Sequence, residues 1–110
     1  MRSDNLRQSA KTHKPDGATL RALRQLLPRV TLADFEAISD ICARGHLRHL
    51  PPSIRAWQAT TSHIRHVYTD YDNLLAEGYD QLSARHFVLE QINEKLREWG
   101  CAKTIEDGDW

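Results

Sequence analysis

Four stretches of the chain space their apolar side chains at the three- and four-residue intervals of a helix. No stretch alternates with the period of two expected of a strand. The first, residues 18–27, sets Leu20, Leu23, Leu26 and Leu27 on one stripe before Pro28 stops it. Thr31 is positioned to cap a second helix with Asp34 in its first turn. Leu32, Phe35, Ile38, Ile41 and Cys42 form its expected buried face, and Gly45 its stop. Pro51, Pro52 and Ser53 suit the start of a third helix that runs as far as Ala76, with a break near Thr60, Thr61 and Ser62, and ends at Gly78. Asp80 or Ser83 starts a fourth, with a stripe of Leu82, Leu89, Ile92, Leu96 and Trp99 closed by Gly100. The pattern predicts an all-α fold, a small single-domain bundle of four to five helices over residues 18–100.

The flanks follow no such period. Residues 1–17 end on the turn signal Pro15, Asp16, Gly17 and read as a flexible basic arm. Residues 101–110 read as a frayed acidic tail. With 110 residues, 40% of them hydrophobic, the chain supports one modest core and not two. Its formal charge is zero, so bulk electrostatics favour neither nucleic acid nor membrane, but the charge is unevenly spread. Residues 1–30 carry seven Lys or Arg against two Asp, whereas residues 70–110 carry ten acids against four bases. Between them, residues 46–69 hold Arg48, Arg55, Arg65 and four histidines without an acid. Such a dipolar chain sets its basic half against phosphate or an acidic protein, or its two halves against each other. Two distant cysteines make no disulfide framework, no segment resembles a signal peptide, and no apolar run approaches the ~20 residues of a membrane span. A cytoplasmic protein is expected.

The chemistry concentrates in residues 63–75, HIRHVYTDYDNLL. On one continuous helix, Trp57, Ile64, Val67, Tyr68, Tyr71, Leu74 and Leu75 share an apolar sector. His63, His66 and Asp70 border it on one side, and Arg65, Thr69 and Asp72 on the other. Polar groups at such borders are half desolvated and need partners. One reading is an interhelical network: Asp72 pairs with Arg65 or Arg85, Thr69 bonds backbone or a carboxylate, and Tyr71 packs its ring. The other is an anion site, in which Arg65, His66 and Arg85 converge with the loop residues His46, Arg48 and His49 on a phosphate. The same residue types could serve metal-independent phosphodiester cleavage, with His66 as acid or base and Arg65 stabilising charge.

Two sets have metal-ligand residue types, Cys42 with His46 and His49, and His63 with His66 and Asp70. Cys42 lies on an apolar face, Gly45 interrupts the helix before His46, and His63 and His66 diverge on the helix surface. No metal or cofactor is therefore expected. Trp57 and Trp99 fall on periodic stripes and read as core, while Trp110 lies beyond them as a docking residue or a loose end.

The run RHVYTDYD, with His63 before it and LLAEGYDQLSARH after it, resembles the bacterial and fungal domain-of-unknown-function family 2293. The likeness rests on Arg65, His66, Thr69, Tyr71, Asp72, Gly78, Ala84, Arg85 and Trp99, and covers roughly residues 35–100. It implies a family fold and a shared polar cluster, but no activity.

Nucleic-acid binding is the leading expectation, with DNA or RNA held by its phosphate backbone. Arg48, His49, Arg65, His66 and Arg85 are the candidate contacts, and Thr69, Tyr71 and Asp72 the structural network. The first two helices could pass for a helix-turn-helix pair, but Asp34, Glu36 and Asp40 make the second a poor recognition helix for a polyanion. The alternatives are a protein-interaction module (adaptor or inhibitor) and a small metal-independent nuclease. An enzyme is the less favoured reading.

Overall fold

The computed structural model describes residues 15–106. The predicted arm therefore lies outside the described residues as far as residue 14, and the last four residues of the tail lie outside them too. Five α-helices follow one another: α1 (Gly17–Leu26), α2 (Leu32–Cys42), α3 (Pro52–Tyr68), α4 (Tyr71–Ala76) and α5 (Gln81–Glu98). A 3-10 turn, Gly45–Leu47, separates α2 from α3. Among the described residues there is no strand, and the fold is all-α.

Three helices start where a side-chain oxygen meets their first free N–H groups. Asp16 Oδ1 accepts from Thr19 N at 2.8 Å, Thr31 Oγ1 from Asp34 N at 3.2 Å, and Asp80 Oδ1 from Ser83 N at 2.8 Å. The turn signal around Asp16 is thus also a helix cap, and the helical body begins at Gly17 rather than after it. Both α4 and α5 end on a left-handed glycine, Gly78 at φ 105° and Gly100 at φ 81°. Tyr79 N then reaches back to Leu74 O, and Cys101 N to Leu96 O, so that both ends close as Schellman motifs.

The central helix is α3, which packs against α1, α2, α4 and α5. Its inward face is small, with Ala56, Ala59 and Thr60 fully buried beside Ile64, so the neighbouring helices approach closely. Leu23 and Leu27, Ile38 and Cys42, and Val88, Ile92, Leu96 and Trp99 complete the core. Arg55 also points inward. Its guanidinium donates to Thr19 Oγ1 and to the carbonyls of Arg48 and Leu50 at 2.8–3.2 Å, and so fastens the loop before α3 to α1. This charge is structural, which its place in a basic run did not reveal.

Several sequence expectations require correction. Leu32 and Leu82 are 71% and 75% exposed, because each sits in the first turn of its helix on the side away from the core. The buried face of α5 keeps the expected Ile92, Leu96 and Trp99, and adds Ala84, Val88 and Asn93. The break in the third helix falls at Thr69 and Asp70, not at residues 60–62, so no single wheel spans residues 57–75. Within the unbroken part of α3, Val67 is 57% and Tyr68 39% exposed, whereas His63 is buried. The expected frayed tail is docked over residues 101–106. Asn93 Nδ2 donates to Ile105 O at 2.9 Å, Ile105 N donates to Asn93 Oδ1 at 2.8 Å, and the Ile105 side chain is buried.

Candidate functional site

The Thr69 break arranges the polar motif. Thr69 adopts an extended backbone, and its hydroxyl donates to the carbonyl of Arg65, one of the last in α3. The same oxygen accepts from Tyr71 N at 3.1 Å, the first residue of α4. One hydroxyl therefore caps both sides of the kink, and Asp72 in the first turn of α4 suits the positive end of that helix. His66 reaches across the break, its Nδ1 lying 2.9 and 3.0 Å from the two carboxylate oxygens of Asp72. Tyr71 is buried between them, with the Arg65 guanidinium 5.1 Å from its ring centroid and the His66 ring edge-on at 5.8 Å. The spacing Arg65, His66, Thr69, Tyr71, Asp72 is thus the clasp of a kinked helix. Asp72 hydrogen-bonds His66, and its charge also acts on Arg65.

Beyond Tyr71, the Arg65 side chain also lines a groove of about 300 Å³ between the end of α2, the 3-10 turn, α3, α5 and the docked tail segment. Its basic lining is Arg44, His46, Arg65 and Arg85, with neutral donors from Gln58, Thr61 and Ser62, and no acidic residue lines it among the described residues. Trp57 and Ile105 supply apolar wall, and Lys103 Nζ sits 4.2 Å over the Trp57 ring. Burial lowers the Arg65 pKa. Tyr71 counters that effect, the neighbouring Arg85 charge adds to it, and Asp72 opposes it. Guanidiniums drawn to one groove repel each other, and an anion between them lowers that cost.

The expected contacts therefore divide. Arg65 and Arg85 share the groove with His46, while Arg48 and His49 are exposed on the loop outside its lining, and His66 faces away with Asp72. Sequence reasoning missed Arg44, which follows the last turn of α2 and is carried toward the groove by the 3-10 turn. Neither metal set assembles. Cys42 is buried, its thiol is pushed up to about 11, chiefly by burial, and His46 and His49 are exposed. His63 Nε2 contacts Asp34 at 2.8 Å, and Asp70 exchanges hydrogen bonds with Gln91. Among the described residues, no three His, Cys, Asp or Glu side chains come together as a metal site.

A wider, open depression lies along α5, lined by Tyr68, Gln91, Glu94, Lys95, Arg97 and Glu98. Its charges are mixed and mutually engaged. Lys95 bonds Glu98 at 3.2 Å and covers the Tyr68 ring, and Arg97 bonds Glu90 at 3.1 Å. The smaller groove is the better candidate.

Comparison with known proteins supports the family resemblance. Residues 22–100 match the family described as "Uncharacterized conserved protein (DUF2293)", and the chain belongs to that family. No curated protein and no solved structure matches it. No helix among the described residues is long and apolar enough to cross a membrane.

Proposed function

From membership of this uncharacterised family as the premise, we propose that the protein binds nucleic acid through its phosphate backbone, at the groove of Arg44, His46, Arg65 and Arg85. The observation that carries this reading is the lining itself: three guanidiniums and an imidazole on one concavity. Arginine presents a planar fork matched to phosphate oxygens, and the hydroxyl and amide donors of Thr61, Ser62 and Gln58 extend the set. The basic arm, with Arg2, Arg7, Lys11 and Lys14, adds charge for a longer polyanion. Contacts made to the phosphate backbone carry no sequence information, so binding in this mode is largely independent of sequence. A cytoplasmic location belongs to this reading, supported by two cysteines that are buried free thiols.

The test is fluorescence anisotropy with labelled 20-nucleotide single- and double-stranded DNA and RNA at low salt. Affinity is expected to fall linearly with salt on logarithmic axes. Arg44→Ala and Arg85→Ala should each reduce the slope by about 0.7 on single strands, or about 0.9 on B-form DNA, for every phosphate that the variant no longer neutralises. Absence of binding to all four ligands at low salt defeats the proposal.

A second reading, a protein-interaction module, is favoured by one observation. Tyr79 and Phe87 are 44% and 58% exposed and meet edge to face at 5.6 Å, an aromatic pair that the fold leaves at the surface. Phe87→Ser abolishing capture of a partner, with oligonucleotide affinity unchanged, would support it.

A further inference from the structure

The groove carries more apolar wall than a phosphate needs. Beside its basic and hydroxyl lining stand Ile41, Leu47, Trp57 and Ile105. Trp57, Thr61 and Arg65 follow one another at i, i+4 and i+8 on α3, so the indole and the guanidinium mark two ends of one helix face about 12 Å apart. Periodicity places Trp57 in the core. The structure packs it against the core but leaves it only half-buried, at the groove wall. Lys103 Nζ sits 4.2 Å over its ring, yet Lys103 lines a second depression, with Ala22, Leu26, Ser53 and Ala102, and not the groove. The lysine thus approaches the indole from outside the groove and holds it by a cation–π contact without covering the side that walls the groove.

We propose that Trp57 is a stacking platform and that the groove's ligand is single-stranded nucleic acid, one unpaired base lying on the indole while the strand's phosphates meet the basic lining. The proposal rests on the phosphate-binding reading above and narrows it to an unpaired strand. Every base has a π face, so an aromatic platform accepts each of them and binding stays tolerant of sequence. In a duplex both faces of a base are covered by its neighbours, and reaching one requires unstacking it first. The dimensions agree. A cube of 300 Å³ has an edge of about 7 Å, room for a single nucleotide and too narrow for a double helix, whose major groove alone is about 12 Å wide. A ring already held between the core and Lys103 has little freedom left to lose, so little of the stacking energy goes into ordering the side chain.

The test sets three labelled probes of equal length against the full chain by anisotropy at low salt: single-stranded oligothymidylate, an abasic strand with the same phosphates, and a DNA duplex. The parent should bind oligothymidylate about five- to 150-fold more tightly than the abasic strand, the factor for one stacked base. Trp57→Leu, which keeps an apolar side chain but no π face, should remove this preference, and Trp57→Phe should keep part of it. The loss should be confined to oligothymidylate, with duplex affinity lowered little. Irradiating the parent with a 5-iodouracil strand should crosslink Trp57, identified by mass spectrometry, a readout that holds even where Trp57→Leu fails to fold. Equal affinity for oligothymidylate and the abasic strand, or a crosslink only at another aromatic residue, overturns the platform and leaves the groove reading standing. A preference that survives in folded Trp57→Leu overturns it too. So does an equal loss on the duplex, since the tryptophan would then act through the fold. Failure of the parent to bind any of the three probes refutes the groove reading, and the platform with it.

Discussion

His63 Nε2 lies 2.8 Å from Asp34 Oδ1, joining the middle of α3 to the first turn of α2 with both side chains largely buried. Tyr68 donates its hydroxyl to the same carboxylate, and Thr31 does so from the cap position. Desolvation opposes the charge on Asp34, but the hydrogen bonds from His63, Tyr68 and Thr31 outweigh it, and the carboxyl titrates below its ordinary 3.8. The unfolded chain therefore takes up a proton at higher pH than the folded one. The contribution to stability is complete above 3.8 and fades as pH falls through the lower folded value. Asp34→Asn is expected to cost about 1–3 kcal/mol at neutral pH and to flatten the acid limb of the stability curve. Denaturant titrations between neutral pH and the acid limb check both. An acid limb as steep as in the parent chain would count against the assignment.

The second His–Asp contact should behave differently. His66 and Asp72 have side chains 47% and 58% exposed, so their 2.9 Å contact competes with water. His66→Ala and Asp72→Asn should each cost less than about 1 kcal/mol, and a double-mutant cycle should give a coupling below that figure. A coupling of several kcal/mol would mean that the clasp across the kink, rather than the Thr69 cap, holds α4 in place.

That contrast marks how far the sequence is legible. Thr31, Asp80, Pro28, Gly78 and Gly100 announce their helix ends through local chemistry, and the structure agrees with each. The roles of His63, Arg55 and Asn93 depend on Asp34, Arg48 and Leu50, and Ile105, partners that periodicity does not link to them. The Thr69 kink was hidden because Val67, Tyr68, Tyr71 and Leu74 keep helical spacing across it. That one error turned the wheel, and so placed His66 at the site. Arg44 was hidden for a different reason: it lies outside every periodic stripe and meets the groove only through the 3-10 turn after α2.

Arg55 illustrates a cation whose removal should be felt in the fold. Three acceptors converge on its guanidinium, and Asp16 lies 3.9 Å away. Arg55→Ala leaves the carbonyls of Arg48 and Leu50 short of a donor inside the structure, at an expected cost of about 2–4 kcal/mol. Arg55→Lys should recover only part of this, because a single ammonium cannot reproduce the fork. Thermal unfolding of both variants tests the ordering, and full recovery by lysine would contradict it.

Asn93 should control the tail segment specifically. Asn93→Ala removes both hydrogen bonds to Ile105 and is expected to cost about 1–3 kcal/mol. The amide of Ile105 should exchange with solvent much faster in the variant, while amides in α3 keep most of their protection. Uniform loss of protection would mean that residues 101–106 do not open separately from the bundle.

The two left-handed glycines separate strain from crowding. Gly78 has φ 105°, and a Cβ added there would meet nothing within 4 Å, so Gly78→Ala should cost only the conformational strain, about 1–2 kcal/mol. Gly100 has φ 81°, and a Cβ there would lie 2.9 Å from Pro28 Cγ. The proline cannot withdraw cheaply, because the next residue, Arg29, is tied to α5 through Trp99 O at 2.9 Å and Arg97 O at 3.1 Å. Gly100→Ala should therefore exceed Gly78→Ala by about 1 kcal/mol or more and loosen the loop between α1 and α2. Denaturant midpoints for the two variants provide the comparison. Equal losses would show that the Pro28 loop yields, and that the start of the docked segment at Cys101 is held by the α5 cap alone.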